Sequence, residues 1–126
     1  VTFRAKPKAK RAKTELEQPI KLRIRDALIA AGCMAKIHNV DNRQMTTGLG
    51  RGVSDLICIV PPFGRFLAIE VKRPKVGIIS PDQEAFVQAV RKFGGVAGFA
   101  TSVDEALALL AEARQPVHLD ASPVAT

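Results

Sequence analysis

The chain has no tryptophan and no tyrosine, and its six phenylalanines fall mostly at core spacing. With no aromatic platform, the sequence argues against holding single strands of nucleic acid by base stacking. Cysteine is almost as scarce. Cys33 and Cys58 lack metal-ligand spacing, and Cys58 lies inside the apolar run LICIV, where it reads as a small core residue suited to a reducing compartment. No apolar run approaches the roughly 20 residues needed to span a bilayer. The segment VTFRAKPKAKRAK lacks the apolar core of a signal peptide, so the expectation is a soluble, intracellular protein with no membrane partner. Internal repeats are absent. What is present is 126 residues, 47% of them hydrophobic, enough for one modest domain with a real core.

The formal net charge of +7 is unevenly distributed. Arg4, Lys6, Lys8, Lys10, Arg11 and Lys13 all precede the first acid, leaving the remainder nearly neutral. Residues 1–13 therefore read as a disordered basic arm, compatible with phosphate contacts and equally with a solubilising tail. A second basic excess runs from Lys36 to Lys75, where seven basic residues outnumber Asp41, Asp55 and Glu70.

A single folded domain is expected over residues 14–113, with a flexible tail over 114–126 that contains His118. Ile20, Ile24, Leu28 and Ala31 recur at helical spacing, which predicts an amphipathic helix over about 17–31 with Lys21, Arg23, Arg25 and Asp26 between the apolar positions. Thr14 and Glu17 offer a capping box, and a start at Pro19 is the competing choice. Lys36 to Val40 is a candidate strand carrying His38 and Asn39, followed by the glycine-bearing loop DNRQMTTGLGRG. That loop precedes a strand instead of following one, which argues against a phosphate cradle. SDLICIV and RFLAIEVK flank Pro61, Pro62 and Gly64 as a hairpin. SPDQEAFVQAVRKFGG is punctuated as a helix: Ser80 at the N-cap, Pro81 at the first position, Gln83 completing a capping box and Gly94 at the stop, with Phe86, Val87, Val90 and Phe93 as its buried face. GVAGFAT is a short strand, and Ser102 with Glu105 caps a last helix bearing Ala106, Leu107, Leu109 and Leu110. A crossover from Phe66 to Thr101 should make its two strands parallel. The expected fold is α/β, a central mixed sheet of about four strands flanked by helices.

Alternation along RFLAIEVK puts Phe66, Ala68, Glu70 and Lys72 on one face. Paired antiparallel with the preceding strand, it brings Glu70 and Lys72 near Asp55 at one edge of the sheet. Two carboxylates placed together repel, so such a pair implies a proton shift, cationic partners or a metal. An oxygen-only site suits magnesium or manganese, whose Lewis acidity serves phosphodiester hydrolysis, and Lys72 is placed to stabilise charge on a phosphate. Spacing alone leaves an alternative open: an Asp at a strand entrance is commonly a turn residue, and a Glu and Lys at a strand end are commonly solvated or paired with each other.

GVSD, a strand, a glycine-bearing turn and a strand ending AIEVK resemble the signature of the PD-(D/E)xK nucleases, whose core is restriction-endonuclease-like. GVSDLICIVPPFGRFLAIEVKRP followed by SPDQEAFVQAVRKFGGVAGFATSVDEAL resembles the VRR-NUC (virus-type replication-repair nuclease) family over about residues 48–110. The resemblance implies Asp55 and Glu70 as metal ligands, the backbone carbonyl of Val71 as a third, Lys72 as the catalytic lysine, and Gln83 lining the site. Glu17 matches the acidic residue of the family's first helix and is a further candidate ligand. Val53 and Ser54 stand where the family usually has a proline in the pair before the aspartate. Arg51, Ser54, Arg73 and Lys75 flank the acids and are the candidate nucleic-acid contacts; His38 is a candidate base or ligand. The expected activity is a Mg2+-dependent DNA endonuclease, with Mn2+ able to substitute, acting on branched or Holliday-junction DNA in replication, repair or recombination. The chain resembles the family's standalone members, which implies a homodimer in the cytoplasm of a bacterial or phage-infected cell. The rival expectation is a non-catalytic nucleic-acid-binding module that retains the fold.

Overall fold

The computed structural model describes residues 5–38, 52–75 and 77–116, with backbone alone for residues 5–16. Asn39, Val40, the glycine loop through Arg51, and His118 with the rest of the tail from residue 117 lie outside the described residues. Helix α1 spans Ala5–Ala30. It begins well before residue 17, correcting both expected starts and taking in most of the basic segment expected to be disordered. The physical reason is composition: alanine, lysine and arginine are strong helix formers, and Pro7 falls in the first turn, where no intrahelical N–H bond is forfeited. Pro19 lies inside the helix at an exposed position and does not end it.

Strand β1 (Met34–Ile37) is displaced from the expected Lys36–Val40, while β2 (Leu56–Val60) and β3 (Arg65–Val71) form the expected hairpin. Helix α2 (Pro81–Lys92), β4 (Val96–Ala100) and α3 (Val103–Arg114) complete the chain. The sheet has order β1-β2-β3-β4, with β1/β2 and β2/β3 antiparallel and β3/β4 parallel, so it is mixed as anticipated. Apolar stripes explain the layers. Ile24 and Leu28 of α1 and Ala106, Leu110 and Ala113 of α3 bury against Leu56, Cys58, Leu67, Ile69 and Val71 on one face. On the other face Val87 of α2 covers Ala68 and Ala97, with Phe86 and Val90 partly buried beside them. Phe93, expected in that buried face, is 84% exposed because it occupies the C-cap, beyond the last inward turn. Burial pushes the Cys58 thiol up to about 12, as suits a core residue.

The punctuation of α2 is as read. Ser80 Oγ accepts from the Gln83 N–H at 3.1 Å and Gln83 Oε1 accepts from the Ser80 N–H at 3.0 Å, while Gly94 takes φ +102 after the helix. At α3 the reciprocal half differs: Ser102 Oγ accepts from Glu105 N–H, but the Glu105 carboxylate takes the N–H and hydroxyl of Thr101. Arg91 braces the far ends of the helices, donating to the Ala97 carbonyl at 2.8 Å and clamping Glu112 through two nitrogens. No described helix is long and apolar enough to cross a membrane.

Candidate active site

The pairing Leu56↔Ile69 sets Asp55 opposite Glu70 where the β2/β3 ladder ends. Asp55 precedes the first residue of β2, so its side chain stands at the open end of the sheet, between the layer of α1 and that of α2. Its Oδ2 accepts from the Val71 N–H at 2.8 Å, and its Oδ1 lies 3.4 Å from Lys21 Nζ of α1. Val71 thus contributes its N–H to fixing Asp55, a role distinct from the one expected of its carbonyl. His38 donates its backbone N–H to the Asp55 carbonyl at 2.6 Å, which extends the β1/β2 ladder up to the same point.

Glu70, only 4% exposed, is the one buried charged residue among those described. Its Oε2 accepts from Gln83 Nε2 at 2.7 Å and lies 3.7 Å from Lys72 Nζ, which in turn donates to Gln83 Oε1 at 2.9 Å. Gln83 therefore does both things the sequence left open: it closes the α2 capping box, and it bridges the acid and the lysine of the site. Glu70 Oε1 is buried and finds no hydrogen-bond partner among the described residues. Burial first, and the Asp55 carboxylate second, push the Glu70 carboxyl up to about 8, against the opposing pull of Lys72 and Lys21.

Two glycines let loops close around these residues. A Cβ on Gly77 would lie 2.7 Å from Lys72 Cβ and 3.1 Å from the Arg73 carbonyl oxygen, so the loop after β3 folds back onto the lysine stem only because that position has no side chain. Gly52, at φ +82, brings the chain before β2 so near α2 that a Cβ would meet the Asp82 carbonyl oxygen at 2.5 Å.

Asp55, Glu70, Lys72 and Gln83 are thus brought together. Glu17 is half-buried on α1, one turn before Lys21. Among the described residues no three His, Cys, Asp or Glu side chains gather, so neither Glu17 nor His38 forms a three-side-chain cage with the two acids. The His38 Nδ1 is buried without a partner among the described residues. Arg73 is half-buried and Lys75 exposed beyond the end of β3, while Arg51 lies outside the described residues. Ser54, expected to touch nucleic acid, is corrected: it is 1% exposed, because the residue beside Asp55 points into the core as side chains alternate. Lys21 is the site residue that sequence reasoning misses. Periodicity assigns it to the polar face of its helix, yet its side chain is 12% exposed and meets Asp55. The spacing to Ile24 and Leu28, three and seven residues on, is the available signal. A cavity of about 410 Å3 between Val60, Phe63, Arg65 and Pro116 lies at the other end of the sheet and takes no part in the site.

Comparison with known proteins agrees with this fold. The VRR-NUC domain model matches residues 9–104. A solved structure described as a VRR_NUC domain protein superposes with a TM-score of 0.62 at 17% identity, covering 79% of this chain and 88% of that one. No curated protein matches the sequence.

Proposed function

Because this chain belongs to the VRR-NUC domain family, and so carries a nuclease-fold domain that implies DNA binding, we propose that it is a metal-dependent DNA endonuclease. The observation that carries the reading is the buried Glu70 opposite Asp55, with one carboxylate oxygen lacking a hydrogen-bond partner among the described residues and its acidity suppressed first by burial and then by Asp55. A structural salt bridge would be matched by its own lysines; here burial and the neighbouring acid outweigh Lys72 and Lys21. The donors are all oxygen, which fits Mg2+ or Mn2+. Asp55 and Glu70 would hold the ion, with the Val71 carbonyl as the third ligand. When bound, such an ion supplies the Lewis acidity that makes water nucleophilic near neutral pH and offsets charge on a phosphoryl oxygen.

The protein's own groups do the rest. The Val71 N–H fixes the orientation of Asp55. Gln83 holds Glu70 through its amide N–H and Lys72 through its carbonyl oxygen, so the ammonium is fixed beside the acids before substrate arrives. From there Lys72 donates to the phosphate as negative charge develops on it. Arg73 and Lys75, just beyond the strand, are placed to contact flanking phosphates. A DNA-binding module without catalysis has no use for two adjacent carboxylates, one of them buried, since acids oppose phosphate. Branched or junction DNA as substrate, 5′-phosphate products and a homodimeric assembly complete the proposal, on the strength of the family resemblance.

The test is cleavage of labelled linear duplex, flap and four-way junction DNA in Mg2+, Mn2+ or chelator, beside a Lys72→Ala variant. Metal-dependent cutting is expected, strongest on a branched substrate, with activity reduced about a hundredfold or more in the variant. Equal cutting by the variant, or none by the wild type in metal, refutes the proposal.

A further inference from the structure

Lys21 is the unexpected member of the site. It comes from α1, the layer on the opposite side of the sheet from α2, and its side chain is only 12% exposed. A lysine on the inward stripe of a helix ordinarily runs its stem along apolar surface and lifts the ammonium into water. Here the head stops at Asp55 Oδ1, the oxygen that the Val71 N–H leaves unused. Each carboxylate of the pair thus has one lysine, Glu70 with Lys72 and Asp55 with Lys21. Lys72 is further tied to Gln83, whereas Asp55 is the partner found for the Lys21 ammonium among the described residues.

Resting on the metal-dependent reading above, we infer that Lys21 is a built-in counter-cation: it holds Asp55 Oδ1 in the metal-free site and is displaced from that oxygen when a divalent ion binds. The acid stays in place meanwhile because Val71 holds its other oxygen. The reason is electrostatic. Two adjacent carboxylates at the end of a buried strand need positive charge, and a lysine on a long flexible stem supplies it reversibly, where a rigid guanidinium fork would compete with the metal for both oxygens. A cation a few ångströms from the ion also repels it, so Lys21 sets the metal affinity lower than the two acids alone would give.

The experiment is calorimetric titration of Mn2+ into wild type, Lys21→Met, Lys21→Arg and Asp55→Asn, with thermal melts of each in chelator and in Mn2+. Lys21→Met should bind Mn2+ at least about tenfold more tightly, since the repelling charge is gone. It should also melt below wild type in chelator and gain more from added Mn2+. Lys21→Arg keeps the charge and adds a fork that competes for both Asp55 oxygens, so it should bind Mn2+ more weakly than wild type, and Asp55→Asn should bind weakly or not at all. If Lys21→Met fails to fold, Lys21→Gln takes its place with the same expectation. Unchanged or weaker Mn2+ binding in the neutral variant overturns the inference, as does an arginine variant that behaves like methionine; Mn2+ binding abolished by Asp55→Asn would then leave the metal reading intact. Failure of wild type to bind Mn2+ overturns both.

Discussion

At the scale of single residues, the site sets two acids side by side where burial works against carrying the charge of one of them. Glu70 is that acid, and the consequence is a pH dependence. Its carboxyl sits at about 8 in the folded chain, above its ordinary value near 4.5, so the folded state retains a proton that the unfolded state gives up. Stability from this group is therefore fully present below about pH 4.5 and is lost as pH rises toward 8. Urea unfolding of the metal-free protein should show falling stability across that window, and Glu70→Gln, which stays neutral, should flatten the fall. Added Mg2+ should flatten it in wild type by favouring the charged pair. A variant whose pH profile parallels wild type in chelator would show that Glu70 titrates normally.

At the scale of elements, the start of α2 ties the helix to the chemistry. Ser80→Ala removes one capping bond and should cost about 1 kcal/mol of stability while leaving Gln83 against Glu70 and Lys72. Gln83→Ala removes the cap partner and both hydrogen bonds to the site, so cleavage should fall much further than the melting temperature; equal effects in the two variants would mean that Gln83 acts only as a cap. Gly77→Ala pushes the loop off the Lys72 stem and should lower cleavage by about ten- to a hundredfold in a protein that still folds. These devices are unevenly legible in the sequence. Ser80, Pro81 and Gln83 announce a helix start through chemistry local to four residues, and alternation alone puts Glu70 and Lys72 on one face. The hairpin turn then brings Asp55 to them. Lys21 cannot be placed in this way, because its meaning depends on α1 docking against the end of the sheet, a long-range packing that helical periodicity does not encode. Phe93 misleads because it sits one residue past the end of α2, and Ser54 because its place beside Asp55 puts it out of solvent. The early start of α1 escapes because a charged arm and a lysine-rich helix have the same composition.

At the scale of the whole molecule, a nearly neutral body carries a strongly basic first segment. If that segment touches DNA, replacing Lys6, Lys8, Lys10 and Arg11 by glutamine should weaken binding and reduce the slope of log affinity against log salt by about 0.9 for each phosphate no longer neutralised. An unchanged slope would assign the charges to solubility. The layers themselves separate support from function: α1, α3 and β3 supply the apolar core, while the open end of the sheet, reached from α1 on one side and α2 on the other, holds the polar groups. The decisive question is whether this end is a divalent-metal site or a pair of acids sharing a proton between two lysines. Crystals grown or soaked in Mn2+ decide it directly through anomalous scattering. The expected result is a peak bound by the Asp55 and Glu70 carboxylates and the Val71 carbonyl, with the Lys21 ammonium withdrawn from Asp55; Mn2+ bound elsewhere, with Lys21 still on Asp55 and nothing between the two acids, would contradict it.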